Sequence, residues 1–461
     1  ASILALGIAT DASAAAPKTD QGNAALKSQV EMLMKRVNEL EAKEQVVGNL
    51  TEKEAATTGN NLNVKLSGQV NRAVLWHDDG TNSNVVHVDP SDEASSRLRV
   101  DATGKLSEGN HAGAVLEMDL RSNRAEWTDV RNAGDTHSTF TKRIIDVFFD
   151  SKRWGKFTLG HGWMAGSRVT RDTDMSATGA IAMGDTVGQL AGGTWFTRKD
   201  LGSTTPVLGT NARNKAVTGY GTVAGGGAPL DIKAVFNGSE NHREDRLQYD
   251  TPTFWGTKLS ASHSYKGRND MWDVAVKHAC DIAGTKFAAQ AAYFRNLANT
   301  NSGVNNPAGN GGSVLPAKYS QWSGSVGALF PFGLSVMFAT TYRDWKLKNA
   351  PKGKIYFGKV GYQQKFVEAG LTALALDYGH FKNMILNRAN NAGNASDTNI
   401  KNKFVGTTYG ASLVQHIDRI GTEIYLTART YKLDGNGLSA AGAKVKYKDI
   451  TTVMSGMRVK F

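Results

Sequence analysis

The chain has a single cysteine in 461 residues, Cys280. It therefore holds no intrachain disulfide and no multi-cysteine metal cluster. Proline is scarce at 9 residues, against 50 glycines. No run of about 18 apolar residues follows the first few positions, which excludes an ordinary transmembrane helix. Only 40% of residues are apolar and the mean hydropathy is −0.36, which excludes a bundle of membrane helices. A membrane β-barrel escapes that test, because only alternate residues of each strand face lipid. The motifs HExxH, GxSxG and GxxxxGK are all missing, and the histidines are dispersed. No catalytic residue, metal-ligand set or cofactor is assigned. A hydrolase on a barrel would need a Ser–His pair on its outer wall, recognised by geometry rather than by sequence order.

What is present is a net charge of +12. Nucleic acid, lipid headgroups and small anions are all candidate partners for such a charge. The basic residues are scattered singly along strands with no dense stripe, which argues against nucleic acid. The opening Ala1-Ser-Ile-Leu-Ala-Leu-Gly-Ile-Ala9, followed by Ala12-Ser-Ala14, reads as the apolar part and cleavage site of a secretory signal over residues 1–14. The alternative is a short apolar tail.

Residues 15–61 read as a periplasmic helix and linker. Leu26, Val30, Leu33, Val37 and Leu40 follow a 4-3-4 spacing, an a/d seam with Val at a and Leu at d. The helix from Ala24 to Val47 would be about 36 Å long at 1.5 Å per residue. So narrow a stripe predicts a coiled coil; an amphipathic helix on the protein or membrane is the other reading. Gly48 to Asn61 is a polar linker without periodicity.

From Leu62 the period becomes two. In Leu62-Asn-Val-Lys-Leu-Ser-Gly-Gln-Val-Asn-Arg-Ala-Val-Leu-Trp76 the even positions are mostly apolar, while the odd ones include Lys65, Gln69 and Asn71. Residues 97–106 and 112–121 set Leu and Met on one face against Arg, Asp and Glu on the other. Similar segments recur to Phe461. Tight turns such as Ser107-Glu-Gly and Pro331-Phe-Gly alternate with mostly longer polar connections such as 78–93, 298–317 and 383–401. A soluble sandwich has no reason to place long loops at every second connection, whereas an outer-membrane meander barrel does. The expectation is an all-β, antiparallel transmembrane barrel over residues 62–461, with about sixteen strands and eighteen as the alternative. The strand from Leu62 should pair with the strand ending at Phe461, leaving no edge open to lipid. Trp76, Trp255, Tyr249, Tyr265, Tyr342, Tyr356, Tyr362 and Phe366 lie near strand ends, where interfacial girdles belong.

One connection is unlike the rest. After Phe157-Thr-Leu-Gly-His-Gly-Trp163 the chain dissolves into Gly, Ala, Ser, Thr and Asp. Residues 164 to about 189 are expected to fold into the lumen as a constriction. Gly193-Thr-Trp-Phe-Thr197 and Leu230-Asp-Ile-Lys-Ala-Val-Phe236 could form an extra hairpin, two more wall strands or an external flap, and the path of 194–243 is open.

The chain at this point resembles the Gram-negative general porin family. Leu66-Ser-Gly-Gln-Val-Asn-Arg-Ala-Val74 is similar to that family's first strand. Arg246-Leu-Gln-Tyr-Asp-Thr-Pro252 is similar to the strand after its constriction loop. Met457-Arg-Val-Lys-Phe461 is similar to its terminal-aromatic assembly signal, carried by Phe461. The resemblance implies a homotrimer of sixteen-stranded barrels in the outer membrane of a Gram-negative bacterium, each narrowed by an inward third loop. The coiled-coil segment and the length of connection 164–243 depart from its simplest members, and a Val/Leu seam leans toward dimers rather than trimers.

Selectivity in such a pore comes from charges facing each other across the constriction. The loop offers Arg168, Arg171, Asp172, Asp174 and Asp185. The wall offers Lys65, Arg97, Arg99, Arg121, Lys142 and Arg343, all on the polar face by strand parity. Each alone can be an ordinary wetted lumen residue; the pair Arg97 and Arg99, on one face of one strand, points to function. Arg72 falls on the outward face, where a midplane arginine costs about 2–4 kcal/mol. Either a neighbouring subunit covers it or a bulge turns it inward. The functional expectation is a diffusion channel in the lipid bilayer for small ions and hydrophilic solutes, with mild anion preference. The alternative is an envelope tether or adhesin, with the coiled coil reaching peptidoglycan or a periplasmic partner.

Overall fold

The computed structural model describes residues 62–461 apart from 91–93, 131–138, 180, 182–186, 198, 200–208, 211–215, 218–229, 239–242, 267–268, 298–317, 347–349, 385–402 and 437–443. The expected signal segment over residues 1–14 and the expected coiled-coil seam of Leu26, Val30, Leu33, Val37 and Leu40 lie outside the described residues, as does Asp185.

The described residues hold twenty strands. In chain order they begin with β1 (Leu62–Asp78), the short β2 (Ser83–Val88), β3 (Arg97–Ser107), β4 (Asn110–Arg121), β5 (Thr139–Ser151) and β6 (Gly155–Trp163). Two-residue strands β7 (Gly209–Thr210) and β8 (Ala216–Val217) pair only with each other. Next are β9 (Arg243–Asp250), β10 (Thr257–Lys266), β11 (Asn269–Ile282), β12 (Thr285–Asn296), β13 (Tyr319–Leu329) and β14 (Leu334–Trp345). The last are β15 (Gly353–Val367), β16 (Gly370–Lys382), β17 (Lys403–Ile417), β18 (Thr422–Asn436), the short β19 (Lys444–Lys446) and β20 (Ile450–Lys460). Without β2, β7, β8 and β19, sixteen strands form one antiparallel ring. The eighteen-stranded alternative is corrected: β2 and β19 only prolong the rim beside β1 and β18.

Closure runs through β1. Its first half pairs with β3, from Leu62↔Gly104 to Gln69↔Arg97, and Gln69 to Asp78 pairs with β20. Phe461 completes the seam by exchanging backbone hydrogen bonds with Gly68, at 2.8 and 3.1 Å. Its ring lies over that glycine, where a Cβ would sit 2.7 Å from Cζ of Phe461 and 2.8 Å from the Arg97 carbonyl. Gly68→Leu is therefore expected to prevent docking of the terminal aromatic. Refolding into detergent should yield less of the compact, heat-modifiable form on gels; an unchanged yield would count against this account of the seam.

Alternation explains the two faces. Leu66, Val70 and Val74 of β1 are exposed outward, while Gln69, Asn71, Ala73, Leu75 and His77 between them are buried inward. The same holds for Leu374, Leu376 and Tyr378 against Ala373, Ala375 and Asp377 of β16. A large apolar exterior on one chain marks a surface that meets lipid or another subunit. Among the described residues no helix is long and apolar enough to cross a membrane.

Candidate functional site: the lumen and its constriction

The segment after Trp163 turns inward and is tied to one wall strand after another. Ala165 N–H donates to Ser262 Oγ of β10 at 3.0 Å, and Gly166 N–H to Asp273 Oδ2 of β11 at 2.9 Å. Ser325 of β13 donates to the Val169 carbonyl and accepts from Thr173 Oγ1. Lys359 of β15 pairs with Asp174 at 2.7 Å, and Gln363 donates to the Met175 carbonyl at 3.2 Å. His416 Nε2 of β17 lies 3.1 Å from the Ala177 carbonyl. Tyr431 of β18 donates to the Val187 carbonyl, and His77 Nδ1 of β1 is 2.9 Å from Thr194 Oγ1. The loop is thus a crescent laid along the inner wall from β10 round to β1. Small inward residues let it lie close: any Cβ on Gly327 of β13 would collide with the Thr173 carbonyl.

The return path also lies against the wall. Phe196 N–H donates to the Leu230 carbonyl and Ile232 N–H to the Thr194 carbonyl. Trp195 and Asp231 form an isolated antiparallel bridge, followed by one helical turn, Ile232–Val235. These stretches are neighbours inside the barrel rather than added wall strands. Asp231 caps the turn, accepting from the Ala234 N–H at 2.7 Å, and burial pushes its carboxyl up to about 7. Phe236 closes the apolar plug against Phe381 and Tyr431, with ring centroids 5.2 and 5.1 Å apart.

Charges divide into anchors and lumen-facing groups. Asp174 is an anchor: its side chain and that of Lys359 are 2% and 1% exposed. Arg171 is buried over the Trp163 ring, 5.1 Å from its centroid. Arg343 is buried between Tyr319 and Trp345, donating to the carbonyls of Gly238 and Met384, and so fastens the end of the insert. Arg121 is buried between Asp119 at 3.0 Å and Glu126 at 3.4 Å. On the loop, Arg168 and Asp172 remain partly exposed, 2.8 Å apart, with Lys277 Nζ 3.7 Å from Asp172.

The wall of β3 to β5 carries a lattice of opposite charges rather than lone cations. Arg97 and Arg99 both reach Glu117, at 3.3 and 3.1 Å, and Arg99 also holds Asp101 at 2.7 Å. Arg143 is buried beneath, 2.7 Å from Glu117 and 3.2 Å from Asp119. Arg246 on β9 holds Asp146 on β5 at 2.7 Å. Lys65 is exposed on β1, directly across from Asp101. Going round the ring from β3, β13 is the eighth strand, so the Val169–Thr173 part of the loop lies half way round from Arg97 and Arg99.

Of the wall residues, Lys142 differs from strand parity. Lys142 lies opposite Met118, in the outward row of Leu116 and Leu120. The register slips between Glu117 and Met118, which pair with Ile144 and Lys142, so Arg143 is the extra residue of a bulge and turns into the lattice. Lys142 pairs outside with Asp245 at 3.6 Å. Arg72 does stand on the outer face, with no bulge, since β1 and β20 stay in register from Gln69 to Asp78. Its Nη1 donates to the carbonyl and hydroxyl of Ser122 at 3.0 and 2.8 Å, a partner that parity alone does not reveal.

Sequence reasoning passed over Glu117, Asp119, Arg143, Lys277, Lys359 and His416. Inward parity flagged the acidic face of β4 without its partners. The lone Lys359 among Gly and Val on β15 was a usable signal for a loop anchor, whereas Arg143 was hidden by the bulge.

A family model described as Gram-negative porin matches residues 53–436. Among solved structures, an anion-selective porin from Comamonas acidovorans aligns at 16% identity and a TM-score of 0.50, covering 87% of this chain and 100% of its own. OmpT, an outer membrane protein of Vibrio cholerae, aligns at 12% identity and a TM-score of 0.51, covering 88% and 100%. At such identities the likeness concerns the fold. No curated protein matches the chain in sequence.

Proposed function

Because the chain belongs to the Gram-negative porin family, an outer-membrane channel family, we propose that it passes small hydrophilic solutes and ions by passive diffusion. The route is the space left between the lumen loop and the charged wall of β3 to β5. The observation that carries this reading is the loop itself, tied to inward side chains from β10 round to β1. A loop so held narrows the lumen without filling the side where Arg97, Arg99 and Lys65 stand. Those three cations, standing beside the partly exposed Asp101, support a mild anion preference. On the loop, Arg168 and Asp172 offset each other.

Homotrimer formation is supported by the apolar exterior of β1, β4 and β5 around Arg72. Arg72 is exposed there with Ser122, and a neighbouring subunit would bury that pair away from lipid. A second role, attachment of the envelope to peptidoglycan or a periplasmic partner, rests on the 4-3-4 spacing from Leu26 to Leu40. Purified protein in planar bilayers is expected to give ohmic single-channel conductance, kept after deletion of residues 24–47. Absence of conductance from correctly folded protein would overturn the channel reading.

A further inference from the structure

The outer wall carries a feature that diffusion through the lumen does not use. On the outward face of β15 and β16, Lys354 and Lys382 are directly opposed cross-strand partners. Like charges in that position destabilise a strand pair. His380 stands two residues below Lys382 on the same face, across from Tyr356. Among the described residues no carboxylate pairs with either lysine. The nearby Asp344 is already engaged by Lys346 and Lys352. Lys354 lies over the Tyr342 ring, 5.7 Å from its centroid, and Tyr356 and Tyr378 are exposed just below.

Directly beneath this cationic pair is a dent. Gly358 is an outward position of β15, and the wall around it forms a groove of about 860 Å³ lined by Val326, Phe338, Val360, Leu376 and Tyr378. A Cβ on Gly358 would meet nothing nearer than the Met337 carbonyl at 4.0 Å. Gly358 and Lys354 are four residues apart, about 13 Å along the strand and about 10 Å along the membrane normal at a tilt near 40°. The outward rows Gly358, Tyr356, Lys354 and Leu376, Tyr378, His380, Lys382 therefore run from hydrocarbon depth through an aromatic belt to a pair of unmatched cations.

We propose that this surface is a fixed site for one phosphorylated membrane lipid on the rim of the long connections. The lipid's phosphate bridges Lys354 and Lys382 and one acyl chain fills the groove over Gly358. Both halves are needed to explain the arrangement. An anion between the lysines converts a repulsive cross-strand pair into two charge-assisted contacts. An acyl chain fills a hollow that strand packing leaves open at mid-wall.

The experiment uses the full chain. Native mass spectrometry would count lipid retained from phosphatidylethanolamine vesicles doped with bisphosphorylated lipid A, with its dephosphorylated form, or with inorganic phosphate added instead. Wild type is expected to retain the bisphosphorylated lipid alone. Lys354→Gln with Lys382→Gln should weaken that retention about tenfold or more, and Gly358→Leu should weaken it while leaving single-channel conductance unchanged. Equal retention of the dephosphorylated lipid would overturn the phosphate contact. Retention of inorganic phosphate without lipid would overturn the lipid assignment. Unchanged lipid binding in both variants, each checked for the folded form on gels, would overturn the site altogether.

Discussion

Asp174→Ala is expected to free the constriction loop and raise single-channel conductance, with larger current noise, while the barrel still folds. Asp174 and Lys359 form an ion pair withdrawn almost completely from solvent, 2.7 Å apart. Removing one partner of a buried pair leaves an uncompensated charge, at a cost of about 3–5 kcal/mol. Ties flanking this pair include the hydrogen bonds of Thr173 to Ser325, of Ser325 to the Val169 carbonyl and of Gln363 to the Met175 carbonyl, and the partly exposed Lys277–Asp172 pair. Each contributes about 1 kcal/mol, so they do not offset the loss. The ratio of docked to undocked loop should fall by a factor of about 10² or more. The wall ladder between β14, β15 and β16 makes no use of Asp174, so strand pairing is untouched. Planar-bilayer recordings give the answer; a quiet channel of wild-type conductance would show that the pair does not hold the loop. Lys359→Met separates charge from anchoring: it also removes the anchor, but strands Asp174 instead.

Arg97→Gln combined with Arg99→Gln should have the largest effect on selectivity. The two arginines are 20% and 34% exposed on their side chains, and the buried Glu117 still keeps Arg143 when both are replaced. Their main effect is on the lumen field. Without them Asp101 loses its partner and Glu117 retains only Arg143, so the wall gains two net negative charges where it faces the passage. The zero-current potential in a salt gradient should move toward cations. Glu117→Gln should move it the other way, because Arg97 and Arg99 then lose their shared carboxylate. Movement of both variants in one direction would refute the assignment of this wall to the selective part of the pore.

These two cases show why the barrel was easier to read than its site. Leu66, Val70 and Val74 facing out and Gln69 and Asn71 facing in are consequences of period-two alternation, which needs no tertiary information. Short turns on one side and longer connections on the other gave the meander and a count of about sixteen, with eighteen left as the alternative. The glycine- and threonine-rich run after Trp163 marked the inward loop. Pairing is another matter. Arg121, Arg171 and Arg343 look like free wall or loop cations until the fold brings Glu126, Trp163 and Tyr319 against them. One extra residue at Arg143 exchanged its face with Lys142, since a register slip of one reverses every side chain beyond it.

Sequence by itself pointed to the membrane barrel, to sixteen strands with eighteen as the alternative, to closure through Leu62 and Phe461, and to an inward segment after Trp163. All follow from local alternation, turn length and the need to leave no backbone group unpaired in lipid. Tertiary structure alone decided which charges face the passage and which are fastened beneath it. It also decided that Asp174 anchors the loop to Lys359, that Arg72 finds Ser122, and that Lys354 and Lys382 stand side by side on the outer wall. Each of these depends on register and on contacts between residues from 28 to 185 positions apart along the chain. A charge on a strand has a face from its parity, but it acquires a role only from the neighbour that the register sets against it.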